Sequence, residues 1–228
     1  MNEKLKKETL LLNKKLVDAG LVPFTWGNAS IRDLDSGLVA IKPSGVPYAE
    51  LKQSDIVIMD IEGNIVHGSK KPSSDTPTHL ELYKNFSEIR SIIHTHSRFA
   101  TAYAQAKKGI VCLGTTHADD FYGDIPVTRD LSDDEISDNY ERNIGRIIVE
   151  TFSGKDSLTI PACLVSSHGP FVWGTTPEIA LHNAILLEYV AEMNIYTSIL
   201  TPDIHRINQK LINKHYLRKH GTTAYYGQ

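Results

Sequence analysis

Two histidines separated by one residue end a short apolar run. The run, Ser91-Ile92-Ile93, contains the β-branched residues that are typical of a buried strand, and it leads into His94 and His96. Side chains at positions i and i+2 of a strand point to the same face of the sheet. If the strand continues through them, both imidazoles face one spot, which predicts a metal site at the end of a strand.

A third histidine, His168, ends another apolar stretch, LVSSHGP. Three imidazoles on a rigid sheet leave one coordination position open, which is the ligand pattern of a catalytic zinc site. Spacing alone leaves structural histidines as the alternative for all three. No cysteine pair and no HExxH helix competes for zinc. Four other histidines are interpreted as surface or hydrogen-bonded structural residues: His67, His79, His182 and His205.

The sequence KPSSDTPTH, residues 71–79, places two serines and an acid before a predicted helix. Ser73, Ser74 and the free N–H groups of the helix start could bind an anion, because the helix dipole also favours negative charge there. Asp75 could then be an oxygen ligand of the metal. The alternative is an ordinary helix cap made by Ser74 or Asp75.

Two further sequences predict parts of the same anion pocket. IKPSG offers a cation, a hydroxyl and a glycine in Lys42, Ser44 and Gly45, and TWGNAS adds Gly27 and Asn28. Each sequence alone is weak evidence, because glycine and serine are common in turns. Together with the two serines before the helix, they predict a phosphate pocket beside the metal.

A third group of polar residues lies in TTHADDFYGDIP. Here His117, Asp119 and Asp120 could act as general acids or bases. The residues alone favour a polar surface loop instead. At the other end of the chain, Tyr225 and Tyr226 could simply pack a tail against the protein.

Helices and short strand pairs must position these residues. Turn residues at 35–37 and 62–64 predict two antiparallel hairpins. Ser97 is predicted to cap a helix, and a capping box at Ser132 predicts one long helix to about Phe152. Further helices are predicted over residues 2–19, 75–86, 177–193 and 203–220. This pattern predicts one α/β domain over residues 1–228, with a central, largely antiparallel sheet layered by helices.

Composition argues against several classes of protein. A formal net charge of -3 gives no basic surface of the kind that binds nucleic acid or anionic membranes. No apolar run approaches the ~20 residues that span a bilayer, and the N-terminus has neither an apolar signal core nor a cleavage site. Cys112 and Cys163 lie in apolar stretches, as buried thiols of a reducing compartment do. We therefore expect a cytoplasmic protein.

Eight sequences, in order along the chain, resemble a known family. They are TWGNAS, IKPSGV, KPSSDTPTH, HTHSRFAT, GTTHAD, SSHGPFVWG and the terminal HYLRKHG and AYYGQ. They closely resemble the L-ribulose-5-phosphate 4-epimerases, a family of the class II aldolase/adducin-head superfamily, over essentially the whole chain. The resemblance implies a single α/β domain assembled as a homotetramer, with active sites between neighbouring subunits.

The resemblance also implies roles for individual residues. The zinc ligands would be Asp75, His94, His96 and His168. The phosphate pocket would involve Asn28, Lys42, Ser44, Gly45, Ser73 and Ser74. Asp119 and Tyr226 would be the catalytic acid–base pair, contributed by the adjacent subunit and supported by His215 and Arg218.

One position departs from the family pattern, in which an aromatic residue follows the aspartate of HAD. This chain has Asp120 there. Two adjacent carboxylates repel each other, which can raise the pKa of one of them. The departure leaves open whether Asp119 or Asp120 carries the catalytic proton.

The implied activity is the interconversion of L-ribulose 5-phosphate and D-xylulose 5-phosphate in arabinose or ascorbate catabolism. The C3–C4 bond would be cleaved and formed again, with Zn²⁺ as the Lewis acid and Mn²⁺ or Co²⁺ as substitutes. Two alternatives stay open. One is an aldolase of the L-fuculose-1-phosphate type, which usually carries Glu at the Asp75 position. The other is a non-catalytic interaction domain like the adducin head.

Overall fold

Seven strands form one antiparallel sheet in this structure, a computed structural model that describes residues 2–226. The order across the sheet is β4-β3-β2-β1-β5-β7-β6, and every neighbouring pair is antiparallel. The strands are β1 (Asn28–Arg32), β2 (Val39–Ile41), β3 (Val57–Met59), β4 (Ile65–His67), β5 (Ser91–His94), β6 (Ala162–Val165) and β7 (Gly169–Gly174).

Eight α-helices connect and cover the strands within the described residues. They are α1 (Asn2–Asp18), α2 (Thr76–Asn85), α3 (Arg98–Gln105), α4 (Thr115–Ala118), α5 (Asp133–Ser137), α6 (Tyr140–Thr151), α7 (Pro177–Leu200) and α8 (Gln209–His220). A single turn of 3₁₀-helix covers Gln53–Asp55. Among residues 2–226, no helix is both long enough and apolar enough to cross a membrane.

The alternation of side chains along the strands builds a core on each face of the sheet. Ile93 of β5 packs with residues of α1, α3 and α7, whereas the adjacent Ile92 packs with residues of α2 and α6. Both isoleucines are fully buried. The fold is therefore a sheet between two helical layers, and the prediction of a single α/β domain with an antiparallel sheet is confirmed.

The register of the three central strands brings the ends of β1, β5 and β7 together. Asn28 is opposite His94 in the β1–β5 pair, and His94 is opposite Phe171 in the β5–β7 pair. The predicted metal ligand His94 thus lies at the centre of the sheet, with a strand on each side. Both hairpins predicted from the turns at 35–37 and 62–64 are also present.

The prediction of one long helix from Ser132 to Phe152 is wrong. The capping box at Ser132 does form, because its hydroxyl accepts from the Glu135 N–H and the Glu135 carboxylate accepts from the Ser132 N–H. The helix then breaks at Asp138 and Asn139, where Asn139 has a left-handed φ of 55°. The side chain of Asn143 stabilises the break by donating to the Glu135 and Asp138 carbonyls.

Ser97 occupies the predicted N-cap position of α3, but its side chain makes no capping hydrogen bond. The carboxylate of Glu188, on α7, accepts instead from the backbone N–H groups of Phe99 and Ala100 at 2.9 and 3.0 Å. A negative charge at a helix N-terminus is favourable, because it satisfies free N–H donors and complements the helix dipole. The cap that fixes α3 beside the histidines therefore comes from a residue that is distant in the chain, 89 positions from Phe99 and 88 positions from Ala100.

Three other element boundaries differ from the sequence predictions. The last helix begins at Gln209, capped by the Asn208 side chain, and not at residue 203. Helix α7 continues past residue 193 to Leu200. The short helix α4 was not predicted at all, since four residues are too few for a periodic signal.

Replacing the α3 cap gives a test of this packing. Glu188→Ala should lower the free energy of unfolding by about 1–2 kcal/mol, because two N–H donors lose a charged acceptor. Urea unfolding measures the change. Glu192→Ala, one turn further along α7, is the matched control and should stay within about 0.5 kcal/mol of the wild type. Equal losses in the two variants would contradict the assigned cap.

Candidate metal centre and phosphate pocket

The three predicted histidines converge. The ring centroids of His94, His96 and His168 lie 4.8–5.1 Å apart, and one ligand atom from each lies within 4.8 Å of the other two. His94 ends β5, His96 lies two residues beyond the strand, and His168 lies in the turn between β6 and β7. The predicted extension of the strand through His96 is thus wrong, although the imidazoles still meet.

The hydrogen bonds of His94 prepare it to be a ligand. Its Nδ1 lies 2.9 Å from the Pro170 carbonyl oxygen, so this nitrogen carries the proton and donates it. Its Nε2 is then left with a lone pair and faces Nε2 of His96 at 3.1 Å. A backbone carbonyl that fixes the tautomer of a histidine is the usual outer contact of a metal ligand. A divalent cation fits here, since the Nε2 lone pair of His94 points to the place where the other two imidazoles converge.

Burial keeps the three imidazoles neutral. Desolvation lowers the pKa of His94 to about 3, and it also lowers the pKa of His96 and of His168. Neutral imidazole is the form that binds metal, because the protonated ring has no free lone pair. The site is therefore ready to bind a cation at neutral pH.

Asp75 lies at the start of α2 and lines the same cavity as the imidazoles. Its Oδ2 accepts a hydrogen bond of 2.6 Å from the side-chain amide of Asn28. Burial raises the pKa of Asp75, but His94, His79 and the bond from Asn28 outweigh burial and hold it below its usual range. Asp75 therefore offers an ionised oxygen beside the histidines, although the group of three close ligand atoms does not include it.

A cavity of about 440 Å³ contains both predicted parts of the site. The histidines and Asp75 form one part of its lining, and the residues predicted to bind phosphate form another. The latter are Gly27, Asn28, Lys42, Ser44, Gly45, Ser73 and Ser74. The structure therefore places these separate turns beside the histidines, and their binding of phosphate stays a prediction.

Lys42 is the main electrostatic feature of this pocket. Only 2% of the residue is exposed, and its ammonium contacts the Pro43 carbonyl at 3.3 Å and the face of the Tyr48 ring at 4.8 Å. No carboxylate among residues 2–226 forms an ion pair with it. Burial lowers the pKa of Lys42. An anion in the cavity would give this ammonium the charged partner that it lacks.

Gly27 lets the backbone of its turn pack closely against the backbone of His94. Its φ is +78°, and a Cβ atom there would lie 2.8 Å from the His94 carbonyl oxygen. Only glycine adopts this conformation without strain and leaves this space free. The TWGNAS turn can therefore lie directly against the end of β5.

Sequence reasoning missed Tyr140 and Glu141, which also line the cavity. The Tyr140 ring is roughly parallel to the His168 ring, with centroids 6.5 Å apart. The break at Asn139 places them there, and an uninterrupted helix would not begin at this point. The sequence did not indicate their position, because the capping box at Ser132 predicts a continuous helix through both residues.

The remaining predicted site residues form a second cluster. Arg218 donates to both oxygens of Asp119 at 3.0 and 3.2 Å, and His215 Nδ1 lies 3.0 Å from the same carboxylate. The Tyr226 ring stacks over the Arg218 guanidinium at 4.1 Å. None of these four described residues lines the cavity that contains the histidines.

The polar surface loop favoured for TTHADDFYGDIP is wrong. His117 is 2% exposed, and its Nε2 lies 2.8 Å from the Gly123 carbonyl oxygen. Ala118 is fully buried and packs with Ile212 of α8. This segment is a structural junction between α4 and α8, and the carboxylates of Asp119 and Asp120 are bonded to α8.

A family model described as the class II aldolase and adducin N-terminal domain matches residues 7–195. The chain belongs to this family. The matched residues include all three histidines and every residue that lines their cavity, whereas α8 lies beyond them.

Solved structures agree with this class II aldolase/adducin fold. An L-fuculose 1-phosphate aldolase is 27% identical, with a TM-score of 0.79 over 93% of this chain and 94% of that chain. YgbL from Klebsiella pneumoniae, described as a putative aldolase/epimerase/decarboxylase, is 23% identical, with a TM-score of 0.74 over 94% of this chain and 98% of that chain. An L-fuculose-1-phosphate aldolase from Thermus thermophilus is also 23% identical, with a TM-score of 0.69 over 89% of this chain and 99% of that chain.

Removing one imidazole tests the metal centre. His96→Asn should lose bound zinc, because an amide is a poor ligand and two imidazoles hold the ion less tightly than three. Elemental analysis of the purified protein measures the metal content. His67→Asn, on the exposed strand β4, is the control and should keep the wild-type content. Full zinc occupancy in His96→Asn would show that the ligand assignment is wrong.

Proposed function

We propose that this family member is a zinc-dependent L-ribulose-5-phosphate 4-epimerase. The observation that carries the proposal is a single cavity in which three neutral imidazoles lie beside a buried, unpaired ammonium. A phosphosugar has the two matching groups, since its hydroxyl and carbonyl oxygens suit a metal and its phosphate suits the lysine. The similarity of the quoted motifs to the epimerases then selects the substrate within this class.

The metal would be held by His94, His96 and His168, with Asp75 as an oxygen ligand. When bound, Zn²⁺ supplies Lewis acidity that stabilises negative charge developing on the substrate oxygens. Mn²⁺ or Co²⁺ would suit the same nitrogen and oxygen donors. Asn28 orients the Asp75 carboxylate through its 2.6 Å hydrogen bond.

The phosphate would be held by Lys42 together with the two pairs of turn residues opposite it. Ser44 and Gly45 lie two and three residues after Lys42, and the Ser73 N–H donates to the Lys42 carbonyl, so the two turns are tied together. The Ser74 hydroxyl and the start of α2 add further donors for phosphate oxygens. The pocket would therefore fix one end of the substrate while the other end reacts.

The stereochemistry requires a proton to move at O4 of the sugar. Cleavage of the C3–C4 bond takes the proton from the C4 hydroxyl and gives two fragments. The C1–C3 fragment keeps the bonding electrons as the enediolate of dihydroxyacetone, and the other fragment is glycolaldehyde phosphate, whose C4 is now a planar carbonyl carbon. Rotation of that aldehyde presents its other face, and a new C3–C4 bond with return of a proton to O4 inverts C4. Because the phosphate is on C5, Lys42 would retain the fragment while it turns.

Asp119 and Tyr226 are proposed to accept and donate these protons on opposite faces of the aldehyde. Their cluster lies outside the histidine cavity of the same chain, so a second copy would have to bring it there. A homotetramer with active sites at subunit interfaces meets this requirement, and in it the whole chain, residues 1–228, forms the functional unit. Arg218 and His215 would hold the Asp119 carboxylate in place.

An aldolase of the L-fuculose-1-phosphate type is the second candidate, because a solved structure of that name is 27% identical over most of the chain. Two features favour the epimerase. Asp75 stands where, by the resemblance, such aldolases usually carry glutamate, and Tyr225 and Tyr226 match the tyrosine pair of the epimerase motif. A non-catalytic domain like the adducin head is disfavoured by the converging imidazoles and the buried ammonium.

A coupled assay separates the two activities. Zinc-loaded protein should convert L-ribulose 5-phosphate to D-xylulose 5-phosphate, and a chelator should abolish the conversion because the imidazoles lose their ion. The same protein should release little dihydroxyacetone phosphate from L-fuculose 1-phosphate. Rapid release of that product without epimerisation would identify an aldolase.

Replacing the proposed proton carrier tests the acid–base pair. Asp119→Asn should reduce epimerisation by at least about 100-fold, because an amide cannot accept the proton from O4. Zinc content should stay at the wild-type value, since Asp119 lies away from the histidines. Asp35→Asn, in an exposed turn, controls for the loss of one carboxylate. Near-normal turnover of Asp119→Asn would remove that residue from the mechanism.

A further inference from the structure

Asp120, adjacent to the proposed proton carrier, has three cationic or potentially cationic neighbours. Its carboxylate accepts from the Lys219 ammonium at 2.7 and 2.8 Å. His220 Nε2 lies 3.4 Å and His182 Nε2 lies 3.2 Å from its oxygens. Only 9% of the Asp120 side chain is exposed. Asp120 itself follows α4. Its contacts reach Lys219 and His220 on α8 and His182 on α7, so the residue joins three helices.

Helix α8 needs such contacts because little apolar surface attaches it. Ile212 is its only buried residue within the part of the chain that the structure describes, and it packs in a small cluster with Cys112 and Ala118. The whole helix has the sequence QKLINKHYLRKH, which is mostly polar. The Tyr216 ring adds one further contact, with Tyr122 at 4.7 Å between centroids, so apolar packing alone holds the orientation of the helix weakly.

Two adjacent carboxylates form ion pairs with successive residues of α8. Asp119 is bonded to Arg218, and Asp120 is bonded to Lys219. One contact fixes the distance between α4 and α8, whereas two contacts at different angles around the helix axis also fix its rotation. The chain after α8 then depends on that rotation, because the N–H groups of Tyr225 and Tyr226 both donate to the Arg218 carbonyl.

We propose that Asp120 is a positioning residue, which sets the rotation of α8 so that Arg218 meets Asp119 and Tyr226 stacks on Arg218. Asp120 itself does not carry the catalytic proton. This inference rests on the proposed function, in which Asp119 and Tyr226 transfer protons. It assigns different roles to two neighbouring aspartates that the sequence alone does not distinguish.

The electrostatics agree with a permanent carboxylate at this position. Burial works against the charge, but hydrogen bonds from His182, His220 and Lys219 outweigh it and hold the pKa of Asp120 well below its usual range. Both carboxylate oxygens are already used in these contacts. A carboxylate that is held ionised and fully bonded is suited to fixing a helix and unsuited to exchanging a proton.

A double-mutant cycle tests the inference on the zinc-loaded full chain with L-ribulose 5-phosphate. Asp120→Asn and Lys219→Met should each lower kcat by about tenfold or more, because the acid–base pair shifts, while KM and zinc content stay within about twofold. The double variant should lose little more than the single variants, since both remove the same contact. Asp35→Asn should retain wild-type kcat.

Two results would overturn the positioning role while leaving the proposed function intact. One is a kcat within about twofold of the wild type in Asp120→Asn or in Lys219→Met. The other is a double variant in which the two single losses multiply, because independent effects are additive in free energy. If wild-type protein does not epimerise the sugar, the proposed function fails first and the positioning role fails with it. Should Asp120→Asn not fold, the kcat of Lys219→Met decides the question alone.

Discussion

The structure depends on placing one buried imidazole, two half-buried imidazoles and a buried ammonium around a single cavity, with no carboxylate among residues 2–226 paired with the ammonium. Burying an unpaired ammonium costs several kcal/mol, because the protein interior solvates charge poorly. Natural proteins retain a destabilising buried charge where a bound ligand offsets its free-energy cost. The ligand here must be anionic beside Lys42 and electron-poor beside the histidines. A metal ion and a phosphate in one substrate complex satisfy both requirements, which is why the cavity and the proposed reaction belong together.

The sheet makes this arrangement rigid. His94 lies at the end of the central strand β5, paired with β1 and β7, and its ring stacks on Phe171 at 4.2 Å. His168 comes from the turn that leads into β7, so antiparallel pairing sets its distance from His94. The anion pocket is made of turns tied to these strands, whereas the proposed acid–base pair depends on α8, which is held by polar contacts, by Ile212 and by the ring contact between Tyr216 and Tyr122. The histidines and the anion pocket are therefore placed on the sheet, whereas the proposed acid–base pair is placed on and beside a peripheral helix.

Local patterns in the sequence predicted the parts of the fold that local interactions determine. The hairpins, the helix beginning at Thr76 and the burial of both cysteines follow from turn chemistry and apolar periodicity, and the structure contains all of them. The break at Asn139 and the cap from Glu188 could not be predicted this way, because each depends on a side chain brought from elsewhere. In the site, the spacing of His94 and His96 predicted that their imidazoles face the same spot. The assignment of Asp119 and Tyr226 as an acid–base pair came from the motif resemblance. The place of Tyr140 in the cavity had no sequence signal, and the sequence alone could not separate Asp120 from Asp119, because the difference lies in their three-dimensional contacts.

X-ray absorption spectroscopy at the zinc edge tests the central claim most directly. The account predicts a zinc-loaded protein with three imidazole nitrogens at about 2.0–2.1 Å and the remaining shell made of oxygen. Adding L-ribulose 5-phosphate should change the oxygen shell and leave the nitrogen shell intact. Sulfur in the first shell, or a shell with fewer than three imidazoles, would contradict the account, because the metal would then lie somewhere other than between His94, His96 and His168.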